Sequence, residues 1–186
     1  MKVLSTALPG VSIIEPDVHR DERGFFLETY QYERYAEVGI GCVFVQDNHS
    51  FSRRGTLRGL HLQVRRPQAK LIRVVEGEIF DVVVDPREDR EHFGRWVGTR
   101  LSGENFRQLF VPAGLAHGFC VLSEQVHLEY KCSQPYDPDA ELTIRWDDPK
   151  IGIEWPLDSP VLSSKDADGL SLAEAAARLR SDGQAR

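Results

Sequence analysis

Between residues 43 and 132 the chain runs in short apolar or alternating stretches, each closed by a turn signal, with no sustained helical period. The stretches fall at 43–45, 60–63, 71–75, 78–85, 96–101, 108–111, 117–122 and 127–132, and Gly77, Gly94 and the Ser102-Gly103 pair stand in the breaks. Runs of this length at intervals of roughly 8–12 residues predict an antiparallel sandwich or barrel rather than βαβ units. Upstream, 11–15 ends at Pro16 and suits an edge strand, 21–24 is a turn, 25–30 has strand composition, and 31–38 is a short helix stopped by Gly39. After Pro160 a polar loop at 163–166 leads into 170–179, which is Ala-rich with helical spacing, and 181–186 reads as a frayed end. With no internal repeat, linker or low-complexity segment, one domain is expected over 1–186.

Composition narrows the function classes. At 186 residues, with 41% hydrophobic and 28% charged residues, the chain has the makeup of a soluble globular protein able to bury a substantial core. No apolar run approaches the roughly 18 residues of a membrane span. The first residues carry one Lys and no continuous apolar stretch, so no signal peptide is expected. Cys42, Cys120 and Cys132 are odd in number and widely spaced, which fits reduced thiols in the cytoplasm better than a disulfide framework. A net charge of -6 without a long basic stripe argues against nucleic acid as a partner.

Against that acidic background, residues 46–70 (QDNHSFSRRGTLRGLHLQVRRPQAK) form a cationic island. A positive cleft on an acidic protein concentrates an anionic ligand, and a His among guanidiniums suggests proton transfer on a phosphorylated substrate. On a strand, His61 and Gln63 share a face. A second stretch, FVPAGLAHGF at 110–119, has the P-x-G-x-x-H spacing of the second cupin signature, in which a Pro-Gly turn delivers a His into a barrel. The first cupin signature has two His one residue apart, then a carboxylate; here the place is held by His61-Leu62-Gln63. Metal sites are usually completed by three or more His, Cys or carboxylate ligands, so Gln63 weighs against a metal. A lone strand His is by default a hydrogen-bonded interior His. Two of them, His61 and His117, at one barrel mouth with Arg58 and Lys70, point to a site.

The segments QDNHS (46–50), LRGLH (57–61), QAKL (68–71), EIFDV (78–82), PAGLAHGF (112–119), YK (130–131), IRW (144–146), DP (148–149) and LSSKD (162–166) occur in that order. Together they make the chain similar to the dTDP-4-dehydrorhamnose 3,5-epimerases of the cupin superfamily, over about residues 10–168; the tail, 169–186, lies outside the likeness. The resemblance implies an all-β, cupin-type jelly-roll barrel (a double-stranded β-helix) with short peripheral helices, to which the Ala-rich spacing of the tail adds a C-terminal helix. It implies an isomerase without cofactor or metal, acting on a dTDP-linked 4-keto-6-deoxy sugar. In that chemistry the C4 ketone acidifies C3 and C5; a base removes each proton, a cation supports the enolate, and an acid reprotonates the opposite face.

By the resemblance His61 is the base, Asp166 its partner, Lys70 the cation at the enolate oxygen and Tyr130 the acid. Arg23, Glu28, Gln46, Asp47, Asn48, Arg58, Lys70, His117, Tyr136, Glu141 and Lys165 fall where the family touches its sugar nucleotide, with Arg58 and Arg23 on the diphosphate and Tyr136 stacked on thymine. The family is also a homodimer whose N-terminal strands cross to the partner's site. From the residues alone, Asp166 reads as a helix N-cap ahead of the Ala-rich tail, Lys70 as a surface cation, Tyr130 as a half-buried strand residue, and Arg23 and Glu28 as turn and strand residues. Lys131 should alternate to the other face and be solvated; Arg65, Arg66 and His127 have no assigned role. Rival readings are an epimerase acting at C3 or C5 alone, a metal-dependent cupin enzyme, and a binding protein without activity.

Overall fold

The computed structural model describes residues 1–184. Strands are numbered along the chain. A six-stranded antiparallel sheet runs β1 (Lys2–Ser5), β2 (Ser12–Glu15), β10 (Gln108–Val111), β7 (Lys70–Glu76), β12 (Gln125–Cys132) and β5 (Gln46–Arg53). A five-stranded one runs β13 (Glu141–Thr143), β6 (Leu57–Gln63), β11 (Ala116–Val121), β8 (Glu78–Val84) and β9 (Trp96–Ser102). A separate hairpin pairs β3 (Val18–Asp21) with β4 (Gly24–Leu27), and the helices are α1 (Tyr32–Glu37), α2 (Ser164–Ala167) and α3 (Leu172–Gln184). This is the antiparallel sandwich that the turn-punctuated runs predict, in the jelly-roll form that the resemblance implies.

Three apolar clusters hold it together. Ile72, Val74, Ile79, Val83, Leu109, Val121, Val126 and Leu128, from both sheets, fill the space between them. Leu60, Leu62, Val82, Val84, Leu142 and Ile144 form a second cluster on the outer side of the five-stranded sheet, closed by Leu172 and Ala175 of α3. β8 therefore buries both faces, which explains why its sequence, EIFDVVV, reads as a continuous run. A third cluster lies outside the six-stranded sheet, where Tyr35 of α1 and Ile40 pack on Ile14 and Leu71.

Several local expectations are corrected. The strand at 11–15 is not an edge: β2 is paired on both sides, and the short β1 takes the edge. Residues 43–45 pair in no strand; Val43 and Val45 are 61% and 57% exposed, and the strand begins one residue later, in the polar stretch at Gln46. β5 escaped hydrophobic patterning because its inward side chains, Gln46, Asn48 and Ser50, line a polar cavity. The strand at 25–30 stops at Leu27, and the three-residue β13 carried no signal. Residues 181–184, expected to fray, continue α3, while 185–186 lie outside the described residues. Asp166 does not cap the tail helix: Ser171 does, accepting from the Glu174 amide, and its own amide and hydroxyl donate to Glu174 Oε2.

One contact sets the shape of the barrel mouth. The register between β6 and β11 slips between the His117–His61 and Phe119–Arg58 pairs. Such a bulge re-aims side chains, and here it turns Arg58 and His61, three residues apart, into the same cavity. The strands approach closely there: a Cβ on Gly59, whose φ is +133°, would lie 2.5 Å from Gly118 Cα. Gly59→Ala is accordingly expected to destabilise the fold by about 1–3 kcal/mol or more, read as a lower urea midpoint at unchanged m.

Candidate active site

The polar end of the barrel encloses a cavity of about 320 Å³. β5, β6, β7, β11, β12 and β13 each contribute inward side chains, and Tyr136 and Lys165 reach it from loop and helix. Of the residues singled out by sequence, Gln46, Asn48, Arg58, His61, Lys70, His117, Tyr130, Tyr136, Glu141 and Lys165 line this one space.

Asp166 closes it from behind. Ser163 caps α2, its hydroxyl accepting from the Asp166 amide and donating to Asp166 Oδ2. The other oxygen, Oδ1, lies 2.6 Å from His61 Nε2 and accepts from the Gly59 amide. Burial alone would raise this carboxyl, but the hydrogen bonds from His61, Ser163 and Gly59, with the charge of the ring, pull it down to about 2. A carboxylate of this kind fixes the imidazole tautomer and stabilises the imidazolium. His61 Nδ1 lies 3.8 Å from Glu141.

A second His–carboxylate pair lies beside it. His117 Nε2 sits 2.9 Å from both oxygens of Asp81, which is fully buried. Burial raises the Asp81 carboxyl, with His117 and Lys70 opposing. Lys70 points its ammonium into the same interior. Burial lowers its pKa against the pull of Cys132, Glu141 and Asp81, and among the described residues no carboxylate reaches ion-pairing distance of it. Tyr130, on β12, has its phenol pushed up by burial, then by Cys132 and Glu141. At the rim, Tyr136 donates to Glu141 Oε2 at 2.8 Å, and Lys165 reaches the same oxygen at 2.7 Å. Partial burial and the Glu141 carboxylate push the Tyr136 hydroxyl up to about 12. Arg58 is aimed by Ser52, whose hydroxyl accepts from its Nε at 3.0 Å.

Three predicted residues do not join this cavity. Asp47 alternates to the outer face of β5 and pairs with Lys131 at 3.0 Å, so its side chain does not line this cavity. Lys131 does face outward as alternation requires, but it is ion-paired and lies 5.2 Å from the Tyr30 ring rather than solvated. Arg23, at the tip of the β3–β4 hairpin, pairs with Asp21, and Glu28 pairs with Arg34. Sequence reasoning missed Asp81, Ser52 and Ser163. The signal for Asp81 was present: a carboxylate inside an otherwise apolar strand must be satisfied by a buried partner. Among the described residues no group of three or more His, Cys, Asp or Glu side chains is placed to hold a metal ion, and Gln63 spends its amide on backbone.

The family model for dTDP-4-dehydrorhamnose 3,5-epimerase matches residues 5–174. The chain belongs to this family. It is 51% identical over 177 residues to the dTDP-4-dehydrorhamnose 3,5-epimerase of Pseudomonas aeruginosa, covering 94% of this chain and 98% of the relative. The enzyme of that name from Methanothermobacter thermautotrophicus is 49% identical over 176 residues, covering 93% and 95%. Among solved structures, the dTDP-6-deoxy-D-glucose-3,5-epimerase of Legionella pneumophila, in complex with dTDP-4-keto-L-rhamnose, superposes with a TM-score of 0.93 at 48% identity, covering 96% of each chain.

The His61–Asp166 pair has a stability signature. Because Asp166 is depressed from the ordinary 3.8 to about 2, its contribution is fully present above about pH 4 and is lost as the pH falls toward 2. Asp166→Asn is expected to cost about 2 kcal/mol at pH 7 and progressively less below pH 4, measured by urea denaturation at several pH values.

Proposed function

We propose that the chain epimerises dTDP-4-dehydro-6-deoxy-D-glucose at C3 and C5 to dTDP-4-dehydro-L-rhamnose. The observation that carries this is the 2.6 Å His61–Asp166 pair, open to a cavity shared with Tyr130 and Lys70. The C4 carbonyl acidifies the neighbouring C–H bonds. His61 accepts the proton and becomes an imidazolium held by Asp166, while the electron pair moves to the C4 oxygen. The Lys70 ammonium, with no carboxylate at ion-pairing distance among the described residues, meets that growing charge, where a preorganised cation does most. Tyr130, kept protonated by burial, delivers a proton to the opposite face; exchange with solvent then returns a proton to the phenolate and removes the one held by His61. Repetition at the second carbon completes the conversion.

The nucleotide half follows the rim. Arg58 takes the diphosphate through its fork, and Tyr136 offers the thymine an aromatic face. Gln46, Asn48, His117, Glu141 and Lys165 hold the remaining polar atoms. The working unit is a homodimer whose N-terminal strands exchange, so that the partner subunit's Arg23 and the partner subunit's Glu28 complete each site. Two facts support this: both residues lie outside the cavity of their own chain, and Phe25 and Phe26 beside them are 55% and 71% exposed. The three free cysteines fit the reducing cytoplasm as its compartment, and no helix among the described residues is long and apolar enough to cross a membrane.

In heavy water the product is expected to carry solvent deuterium at both C3 and C5 by NMR; label at one carbon only would assign a single-centre epimerase. His61→Asn is expected to lower kcat by about 10²–10⁴-fold with the fold retained. Arg23→Ala and His61→Asn, each nearly inactive alone, should recover about a quarter of the parental activity when co-expressed, because half the dimers then hold one intact site. No recovery in dimers shown to be mixed would end the exchanged-site reading.

A further inference from the structure

The turn that carries Tyr136 is held almost wholly by its backbone, and the holders are glutamines. Gln63, at the inner end of β6, is 5% exposed. Its Oε1 accepts from the Asp137 amide at 2.9 Å, and its Nε2 donates to Pro135 O at 3.3 Å and to Arg66 O at 2.8 Å. Gln46 Oε1 accepts from the Tyr136 amide at 2.8 Å, and Gln68 Nε2 donates to Gln134 O at 2.8 Å. Three side chains from three segments thus satisfy consecutive peptide groups of residues 134–137. Gln63 ties this turn to the neighbouring loop, since its Nε2 also holds the 64–66 turn through Arg66 O.

We infer that Gln63 is a positioning residue for nucleotide recognition: it sets the distance and tilt of the Tyr136 ring over the base pocket by clamping the peptides on either side of that ring. This rests on the reading of Tyr136 as the thymine-stacking residue. The geometry makes the assignment particular to glutamine. The site asks for one acceptor toward Asp137 and two donors toward Pro135 and Arg66, which is the amide's own inventory. A buried amide serving only as core filler would not be bonded to three peptides of two separate loops. Nor does Gln63 touch Asp166 or the ring nitrogens of His61, whose partners are supplied from α2 and β13. Its effect therefore falls on binding and leaves the proton-transfer pair in place.

The test is a double-mutant cycle read on dTDP affinity and on kcat and KM for the 4-keto sugar nucleotide. Gln63→Leu, of similar volume but without donor or acceptor, is expected to weaken dTDP binding and raise KM by about tenfold while kcat changes less than threefold. Gln63→Glu keeps the acceptor for Asp137 but turns a buried carboxylate oxygen onto the Pro135 and Arg66 carbonyls, and should weaken dTDP binding at least as much as Gln63→Leu. In a Tyr136→Ala background, adding Gln63→Leu should produce less than a twofold further loss, because both act through one ring. If Gln63→Leu does not fold, Gln68→Leu, which frees the same turn at Gln134, is measured in the same cycle. A full tenfold loss on top of Tyr136→Ala, or a fall in kcat at unchanged dTDP affinity, would overturn the inference. Unchanged dTDP affinity in Tyr136→Ala alone would instead overturn the stacking reading beneath it.

Discussion

The contact on which the rest of the site depends is the short His61–Asp166 hydrogen bond, formed across 105 residues of chain. It joins the inside of a barrel strand to a one-turn helix in the C-terminal segment. Asp166 is satisfied three ways: by His61, by the Ser163 hydroxyl that also caps its helix, and by the Gly59 amide at the strand irregularity. A carboxylate so fully bonded stays ionised and defines where its partner ring sits. The close approach of Gly59 to Gly118 frames this corner, so local backbone geometry and the His61–Asp166 pair are one construction.

Around that pair the barrel carries a polar interior at real energetic cost. Lys70, Asp81 and His117 are withdrawn from water, and burial acts against the charged forms of Lys70 and Asp81. His117 and Asp81 compensate one another, while among the described residues no carboxylate lies at ion-pairing distance of Lys70. A buried ammonium of that kind costs stability. The apolar clusters at the other end of the barrel and on both outer faces supply the stability that this requires.

How much of this was legible in the chain depended on what each strand faces. β8, buried on both sides, and β10, with bounds matching its apolar run, stood out because burial writes a hydrophobic signal. β5 did not, since its inner face is the site itself and its outer face is charged. The same polarity that hid β5 as a strand marked it as functional, within the cationic island. Alternation along β5 sends the Asp47 side chain outward while Gln46 and Asn48 turn inward, a distinction that a contiguous motif does not carry.

By itself the sequence determined the all-β class, the turn positions, the tail helix and the set of residues able to move protons or hold a diphosphate, because these follow from hydrophobic period, turn chemistry and side-chain inventory. That Asp166 pairs with His61 rather than capping the tail helix came from the family resemblance and from no local pattern; only the tertiary structure decided that a bulge brings Arg58 onto the face of His61 and that Asp81 stands behind His117. Each is a meeting of segments distant along the chain. Local patterns carry no record of such meetings, because they are set by strand pairing and by the packing of one sheet, or one helix, against another.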